Sequence, residues 1–422
     1  MSALRERLQR LRSGAVPGSA GAGAGARPAP DSVPDSGLAQ DLTLAGRLHR
    51  ADPARRRATT SREPDEQALA EQIGAEIVAP GVLLLERRQS LRRHHGRYRA
   101  AECVETLPTL YPRAPSDPAG WAFIDTETSG LAGGTGTWAF TCALGRINGD
   151  DLLLRQWLLT RLDAEPAMLA AFADGLAGVE LMVSYNGKSF DLPLLLTRFR
   201  LAGLHCRLEA LGQLDLLHPV RRAFAARWPD CRLARVEQRL LGFRRAGDLP
   251  GAEAPAAWLD WLRRGDGGRL GAVLRHNRLD LISLAALVPA LVQVERDPIA
   301  HDADLGALAR HRIRLGDAPG ALALLCSAQP LLVPAERFLL ASLYRRRGDW
   351  EQARAVWERL AADNEPDALE ALAKYHEHRS GDLQQALDLV RRLPPGLARD
   401  HRQQRLHRKL NTEPSSALLR LS

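Results

Sequence analysis

Two carboxylates stand two residues apart where an apolar run ends. The run 121–124 leads into Asp125 and Glu127, and Ser129-Gly130 then supply a turn. Side chains at i and i+2 of a β-strand point to the same face, so the two carboxylates are predicted to lie side by side. Adjacent carboxylates repel each other unless a cation lies between them, and Mg²⁺ and Mn²⁺ prefer oxygen ligands. The pair therefore predicts either a divalent-metal site or, more simply, a solvated strand end.

A third carboxylate, Asp191, follows the buried strand predicted over 181–185. The strand gives way to a helix predicted over 191–202, so Asp191 lies in the first turn, near the positive end of the helix dipole. Asn186, in the connecting turn, is placed to position a bound strand or a water molecule. The tripeptide that begins at Gly187 resembles the end of a P-loop but lacks the first glycine, which excludes an ATP-driven enzyme on this motif.

His276 and Asp280 form the last element. A long helix is predicted from Arg275 to near Val294, and residues four apart lie on the same helix face. An imidazole one turn from a carboxylate suits metal binding combined with proton transfer. The alternative is an ordinary capping or salt-bridging pair.

The stretch 219–245 is strongly basic and carries interleaved aromatic rings. Arginine with aromatic rings is what a single-strand groove uses, with charge for phosphates and rings for bases. An amphipathic helix pair with the rings in its core is an equally good interpretation. The arginines are Arg221, Arg222, Arg227, Arg232, Arg235, Arg239, Arg244 and Arg245, and the rings are Phe224, Trp228 and Phe243.

In this order the motifs resemble those of the DEDD exonucleases, the DnaQ-like branch of the ribonuclease H-like superfamily. The shared features are D-x-E at a strand end, N-x-x-x-F-D from Asn186 to Asp191, and an aromatic residue or histidine one turn before a final aspartate. The resemblance is closest to the bacterial YprB-like ribonuclease H-like domain, and the surroundings of Asp215 and Asp248 also look like that subgroup. It extends over about 120–290.

The resemblance implies a hydrolase that cleaves phosphodiester bonds of RNA or DNA, as a 3′–5′ exonuclease on single strands or free 3′ ends. It implies two divalent ions, Mg²⁺ or Mn²⁺, held by Asp125, Glu127, Asp191 and Asp280. The familiar subclasses place a tyrosine four residues, or a histidine five, before the last aspartate. Here His276 takes the tyrosine position and Arg275 the histidine position. The general base is therefore either His276 or the metals alone.

Contacts with nucleic acid are predicted in the same motifs and in the basic stretch, at Thr128, Asn186, Arg221, Arg222, Arg227 and Asn277. A second function stays open: a nuclease-derived binding protein whose helical repeats recruit a protein partner while catalysis is vestigial. The complete set of four carboxylates favours the enzyme.

The elements that must position these residues are predicted as an α/β ribonuclease H-like domain over 119–295, a mixed five-stranded sheet flanked by helices. A disordered tail rich in Gly, Ala, Pro and Ser is predicted at 1–65. Residues 66–118 form a lead-in with a short helix, a hairpin near 76–85 and a proline-rich linker from Pro108.

The C-terminal region, 303–412, is predicted to be all-α. The dipeptide Gly-Asp begins at 316, 348 and 381, each time between two amphipathic helical patterns. Spacings of 32 and 33 residues are typical of stacked helical hairpins, and the pattern resembles tetratricopeptide repeats. A protein partner is expected on their concave face.

Composition sets the remaining limits. Basic residues outnumber acidic ones by 58 to 50, a net charge of +8, which suits a polyanionic partner. Five scattered cysteines without a C-x-x-C pair argue against a zinc knuckle or a disulfide framework. No uninterrupted apolar run reaches membrane length, and the N-terminus lacks the apolar core of a signal peptide. A soluble cytoplasmic protein without a membrane partner is expected, and the resemblance indicates a bacterial one.

Overall fold

The computed structural model describes residues 64–130 and 135–412. The tail predicted at 1–65 lies outside the described residues, except for its last two. The short helix predicted in the lead-in is α1, Glu66–Ile73. The Asp65 side chain caps its start by accepting the N–H of Ala68, and Gly74 ends it in the left-handed conformation.

A mixed sheet has seven strands: β1 Glu76–Ala79, β2 Val82–Ser90, β5 Trp121–Thr128, β6 Ala139–Asn148, β7 Asp151–Leu159, β8 Leu181–Ser184 and β9 Gly212–Asp215. A separate hairpin is formed by β3 His94–His95 and β4 Tyr98–Arg99. The order across the sheet is β1-β2-β7-β6-β5-β8-β9. Strands β2, β7, β6 and β5 pair antiparallel, whereas β8 and β9 run parallel to β5.

Residues 119–295 contribute five strands, β5 to β9, as predicted. The lead-in hairpin β1–β2, predicted as a separate element, adds two more strands to the same sheet, with β2 paired to β7 along its whole length. Its side chains Val82 and Leu83 are fully buried, so this pairing is held by apolar packing as well as by backbone hydrogen bonds. Pro108 lies inside helix α2, Glu102–Leu110, and not in a linker. Cys103 and Leu107 are buried there, so packing keeps the helix despite the proline.

Helices cover both faces of the sheet. In β5, Trp121 and Phe123 belong to one apolar cluster, and Ala122 and Ile124 belong to the other. A strand buried on both faces has a continuous apolar sequence, which explains the run before Asp125. The other helices of this part are α3 Glu165–Gly175, α4 Asp191–Leu201, α5 Leu217–Phe224, α6 Leu233–Val236, α7 Ala254–Arg264 and α8 Leu270–Arg296.

Helix α8 is the central helix of this part, with 27 residues. Within the described ranges it alone is long and apolar enough to cross a membrane by length and composition. Its most apolar 18-residue window is 83% buried inside the protein, however, as in the core helix of a globular domain. Leu274 packs in one apolar cluster and Leu281 in the other, so α8 contributes to both cores.

The C-terminal region is helical, as predicted. Each Gly-Asp dipeptide lies between two helices, and the glycines have φ of +86°, +93° and +77°, which only glycine adopts at little cost. Asp317 and Asp382 then cap the following helices by accepting the N–H groups of Gly320 and Gln385. The helices are α9 Leu305–Arg314, α10 Ala318–Ser327, α11 Pro334–Arg347, α12 Trp350–Ala362, α13 Pro366–Tyr375, α14 Leu383–Arg391 and α15 Leu397–Thr412.

The sheet domain and the C-terminal helices share a core. One apolar cluster runs without a break from Leu91 near the hairpin β3–β4 to Leu406 in α15. The backbone N–H of Asp304 donates to the carbonyl of Ala223 at 2.7 Å, which joins the start of α9 to the end of α5. The two regions are therefore packed together and not merely tethered.

Candidate active site

Four carboxylates come from three elements of the sheet domain. Strand β5 extends to Thr128, so Asp125 and Glu127 lie inside its last four residues. Asp191 is the first residue of α4, and Asp280 lies in the middle of α8. Glu127, Asp191 and Asp280 are each exposed by less than a tenth. Carboxylates so buried are costly unless their charge is compensated.

The electrostatics of the four carboxylates show an excess of negative charge. Burial, and then the charges of Asp280 and Asp191, raise the pKa of both Asp125 and Glu127 well above the usual range. Burial also raises the pKa of Asp191 to about 6, against the opposing hydrogen bond from Thr126. Divalent cations bound by these oxygens would remove the repulsion, so the residues present fit a Mg²⁺ or Mn²⁺ site.

Two neutral side chains hold the carboxylates in place. The Thr126 hydroxyl donates to Asp191, and the Asn277 amide donates to Oδ2 of Asp125 at 2.6 Å. Gln156 on β7 in turn donates to the Asn277 oxygen at 2.7 Å. Asn277 has no exposed surface. The predicted contact of Asn277 with nucleic acid is therefore wrong, because its side chain is enclosed between β7 and β5.

His276 lies beside two of the carboxylates. Ligand atoms of Glu127, His276 and Asp280 all lie within 4.8 Å of one another. The Nδ1 atom of His276 is 2.6 Å from a carboxylate oxygen of Asp248 and 3.2 Å from Nη1 of Arg245. Because a carboxylate can only accept, the shorter contact places a proton on Nδ1. Nε2 then carries a lone pair, 3.6 Å from Oδ2 of Asp280. The exposed side chain of Arg275 donates a hydrogen bond to the carbonyl of Gly247. Of Arg275 and His276, therefore, only His276 faces the carboxylates.

Arg245 is the cation of this site. Its guanidinium donates to Asp280, to Glu237 at 2.6 Å and to Asp248 at 3.1 Å. Burial alone would lower the pKa of Arg245, but the hydrogen bond and charge of Glu237 and the charge of Asp280 raise it. The sequence shows Arg245 only as one of many arginines, and nothing in its spacing separates it from the others.

The turn between β8 and α4 is held by Asp215. The Asp215 carboxylate accepts backbone N–H groups of Asn186 at 2.8 Å, Lys188 at 3.2 Å and Leu217 at 3.0 Å. Asn186 has φ of +67°, a conformation that asparagine tolerates better than most residues. At Gly187 an added Cβ would lie 2.3 Å from the Ser184 hydroxyl. This turn fixes the entry into α4, and so the place of Asp191.

The hairpin β3–β4 contacts the hydrogen-bond network of Arg245 through His95. Buried His95 lies 2.8 Å from the Ser283 hydroxyl, which donates to Glu237, the partner of Arg245. Since Ser283 gives its proton to Glu237, His95 donates from Nε2. The lead-in segment therefore contributes to the position of Asp280, a role that the sequence did not indicate.

The remaining predicted contacts lie outside this cluster. The Thr128 hydroxyl donates to the carbonyl of Gly130 and closes the turn after β5. Arg227 lies 3.8 Å from Asp302, away from the carboxylates. Asn186 is exposed and lines a cavity with Arg221, whereas Arg221 and Arg222 line a second cavity.

Of the aromatic rings in the basic stretch, Phe224 is fully buried, and Trp228 and Phe243 are half-buried. Phe224 and Trp228 stack with their centroids 4.0 Å apart, and Phe243 packs 3.9 Å from the His95 ring. The packed-helix interpretation thus holds for Phe224 and Phe243, while Trp228 still lines a cavity wall.

The sheet domain is similar to a known protein family. Residues 122–292 match the family described as the RNase_H superfamily. The chain thus carries an RNase H-like domain, followed by a mostly helical region. It is 29% identical over 332 residues to the uncharacterized protein YprB of Bacillus subtilis (strain 168), an alignment that covers 73% of this chain and 79% of that protein.

One solved structure is also similar, that of the family B DNA polymerase from the hyperthermophilic archaeon Pyrobaculum calidifontis. The TM-score is 0.33 and the identity 13%, over 66% of this chain and 35% of the polymerase.

Proposed function

We propose that this protein is a metal-dependent nuclease that hydrolyses phosphodiester bonds of RNA or DNA, as a 3′–5′ exonuclease. The observation that carries the proposal is the group of four carboxylates on β5, α4 and α8, three of which are buried. The carboxylates repel one another, as the raised pKa values of Asp125 and Glu127 show. This repulsion destabilises the fold, so their closeness indicates a functional site and not a structural requirement.

Asp125, Glu127, Asp191 and Asp280 would hold two Mg²⁺ or Mn²⁺ ions. When bound, such ions supply an activated water and stabilise the leaving oxygen of an in-line displacement. Thr126 and Asn277 keep Asp191 and Asp125 in fixed orientations, so little reorganisation is needed on binding.

His276 is the candidate proton acceptor. Its Nδ1–H donates to Asp248, so the Nε2 lone pair faces the carboxylates and can take a proton from water. Asp248 acts here as a positioning residue because it fixes the tautomer and the ring orientation. The alternative role of His276 is to orient the scissile phosphate.

A second candidate function, a binding protein with vestigial catalysis, is favoured by one observation. Arg245 already pairs with Asp280 and so supplies part of the charge that a metal would otherwise provide. The experiment below separates the two functions.

The test is digestion of single- and double-stranded RNA and DNA labelled at either end, with Mg²⁺ or Mn²⁺ or with EDTA. Gradual shortening of 5′-labelled strands, blocked by a modified 3′ end, is expected. Asp125→Asn and Asp191→Asn are expected to abolish the metal-dependent products. Asp363→Asn, an exposed residue far along the chain, is the matched control and should retain the wild-type rate. Equal cleavage by wild type and both site variants would overturn the proposal.

A further inference from the structure

A strongly basic cavity of about 820 Å³ opens between the RNase H-like domain and α9. We call it the junction cavity. Its described lining has a single carboxylate, Asp215, whose oxygens are occupied by backbone N–H groups. The fixed cations that line it are Lys188, Arg221, Arg222, Arg310 and Arg314, accompanied by His218 and His311.

Two elements direct these cations into the same space. On α9, Ala307, Arg310, His311 and Arg314 have the i, i+3, i+4, i+7 spacing of one helix face. The facing wall is built by α5 and by the turn that Asp215 holds. Arg310 and Arg314 are exposed, so they are not needed to complete a packed core. A basic helix face that lies opposite a basic wall does not stabilise the fold, because like charges repel.

The cations repel one another. Burial, followed by the charges of Arg222 and Arg314, lowers the pKa of His311 to about 4. Glu295 partly compensates this charge and lies 3.8 Å from Arg222. In the described ranges no carboxylate forms an ion pair with Arg310 or Arg314. An anion in the cavity would relieve this repulsion.

A second cavity lies beside the junction cavity, and both are lined by residues of the turn that leads into Asp191. Arg221 also lines a neighbouring cavity of about 560 Å³, together with Asn186 and Trp228. Lys188 and Asn186 belong to the turn that precedes Asp191. Cationic groups therefore continue from the entrance of α4 to α9, with an aromatic ring on the way, as in a channel for a single strand.

We propose that the junction cavity binds backbone phosphates of a single nucleic-acid strand that extends from the four carboxylates. This proposal rests on the proposed function, because it assumes that the scissile bond lies at the four carboxylates. The junction cavity would then bind the part of the strand beyond that bond. It gives the C-terminal helices a direct part in substrate binding through α9. An acidic protein segment could satisfy the same charges, but the neighbouring Trp228 and the shared turn that leads into Asp191 favour a strand with bases.

The test measures binding without hydrolysis. Fluorescein-labelled single strands of about 4 and about 20 nucleotides are titrated with the full-length protein in EDTA, and anisotropy is followed over a range of salt. Arg310→Gln/Arg314→Gln is compared with wild type. The matched control is Arg346→Gln/Arg359→Gln, which removes two exposed arginines elsewhere in the C-terminal helices.

For the long strand we expect the cavity variant to bind about tenfold more weakly, with a salt slope reduced by about 1.4 because two phosphate contacts are lost. The control variant should match wild type, and the short strand should lose less affinity than the long one. Wild-type affinity and slope in the cavity variant would overturn the proposal.

Competition distinguishes the sources of negative charge. Unlabelled strand should displace the probe, whereas inorganic phosphate at the same phosphate concentration should displace it far less. Equal competition by phosphate would make the cavity a free-phosphate site, and equal competition by polyglutamate would assign it to an acidic protein; either result overturns the proposal. If the strand binds as expected but is never cleaved with Mg²⁺ or Mn²⁺, the nuclease function fails and the strand-binding cavity stands.

Discussion

The Asn277 amide on α8 donates to the Asp125 carboxylate on β5 at 2.6 Å. We expect Asn277→Asp to place a fifth buried carboxylate against Asp125 and to lower the unfolding free energy by about 1–3 kcal/mol without metal, because the donor becomes a repelling acceptor. Asn411→Asp, at the exposed end of α15, is the matched control and should change stability by less than about 0.5 kcal/mol. Urea unfolding in EDTA measures both, and equal effects would contradict the role given to Asn277.

Removing one charge from the carboxylate group should stabilise the metal-free protein. The pKa of Asp191 is raised to about 6 from 3.8, so its ionised form opposes folding above pH 6 and this cost disappears below pH 3.8. Asp191→Asn is expected to gain up to about 3 kcal/mol at neutral pH and nothing at pH 3.5. Mg²⁺ should raise the Tm of wild type and not of the variant. A variant whose Tm rises with Mg²⁺ as wild type does would remove Asp191 from the metal site.

The Arg245–Glu237 pair should behave as a buried ion pair. Their side chains are 9% and 1% exposed, so Arg245→Met leaves Glu237 without its cation and should cost about 3–5 kcal/mol. The control Arg92→Met breaks a pair with Asp150 whose side chains are 76% and 73% exposed, and should cost at most about 1 kcal/mol. Adding Glu237→Gln to Arg245→Met should recover part of the loss in denaturant unfolding. Similar costs for the two single variants would show that Arg245 is not part of the buried network.

His276→Gln should lower the maximal rate of hydrolysis by about 10²–10⁴-fold if His276 accepts a proton. Asp248→Asn should act in the same direction because an asparagine amide can donate to Nδ1 and stabilise the other tautomer. His276→Tyr should retain more activity than His276→Gln. Single-turnover rates at saturating metal measure the chemical step. A glutamine variant within a few-fold of wild type would leave His276 as a residue that orients the phosphate.

Acid stability should depend on His95. Burial, and less so the charge of Arg245, lowers its pKa to about 4 from 6.5. The folded state therefore resists protonation, and stability present above pH 6.5 is lost as the pH falls towards 4, by about 3 kcal/mol in total. In His95→Gln the unfolding free energy should fall less steeply over this window. His94→Gln, its exposed neighbour, should keep the wild-type slope, and identical slopes in all three proteins would contradict the burial of His95.

The sequence was most informative where local periodicity decides geometry. The two-residue period of β5 places Asp125 beside Glu127, and the four-residue spacing on α8 places His276 beside Asp280. It did not predict which side chains are buried where burial depends on packing between distant parts of the chain. Nothing local distinguishes buried Asn277 from exposed Arg275, and Arg245 has the same neighbours in sequence as other arginines.

The place of the lead-in hairpin in the sheet was missed for the same reason. The pairing of β2 with β7 joins residues about seventy positions apart and depends on which apolar edges meet. Local propensity could identify the hairpin of the lead-in, but not the edge of the sheet to which it is added.

Helix α8 has a consequence for the timing of activity during synthesis. Asp125, Glu127 and Asp191 all leave the ribosome well before Asp280, which comes from a helix that must also fill both apolar cores. A nascent chain that has not yet emerged beyond α8 lacks one of the four carboxylates, as well as the amide that orients Asp125. Because α8 packs in both apolar cores, the four carboxylates come together only when α8 has joined the sheet. If the proposed function is correct, the growing chain stays inactive towards the RNA molecules that surround its own translation until α8 has emerged.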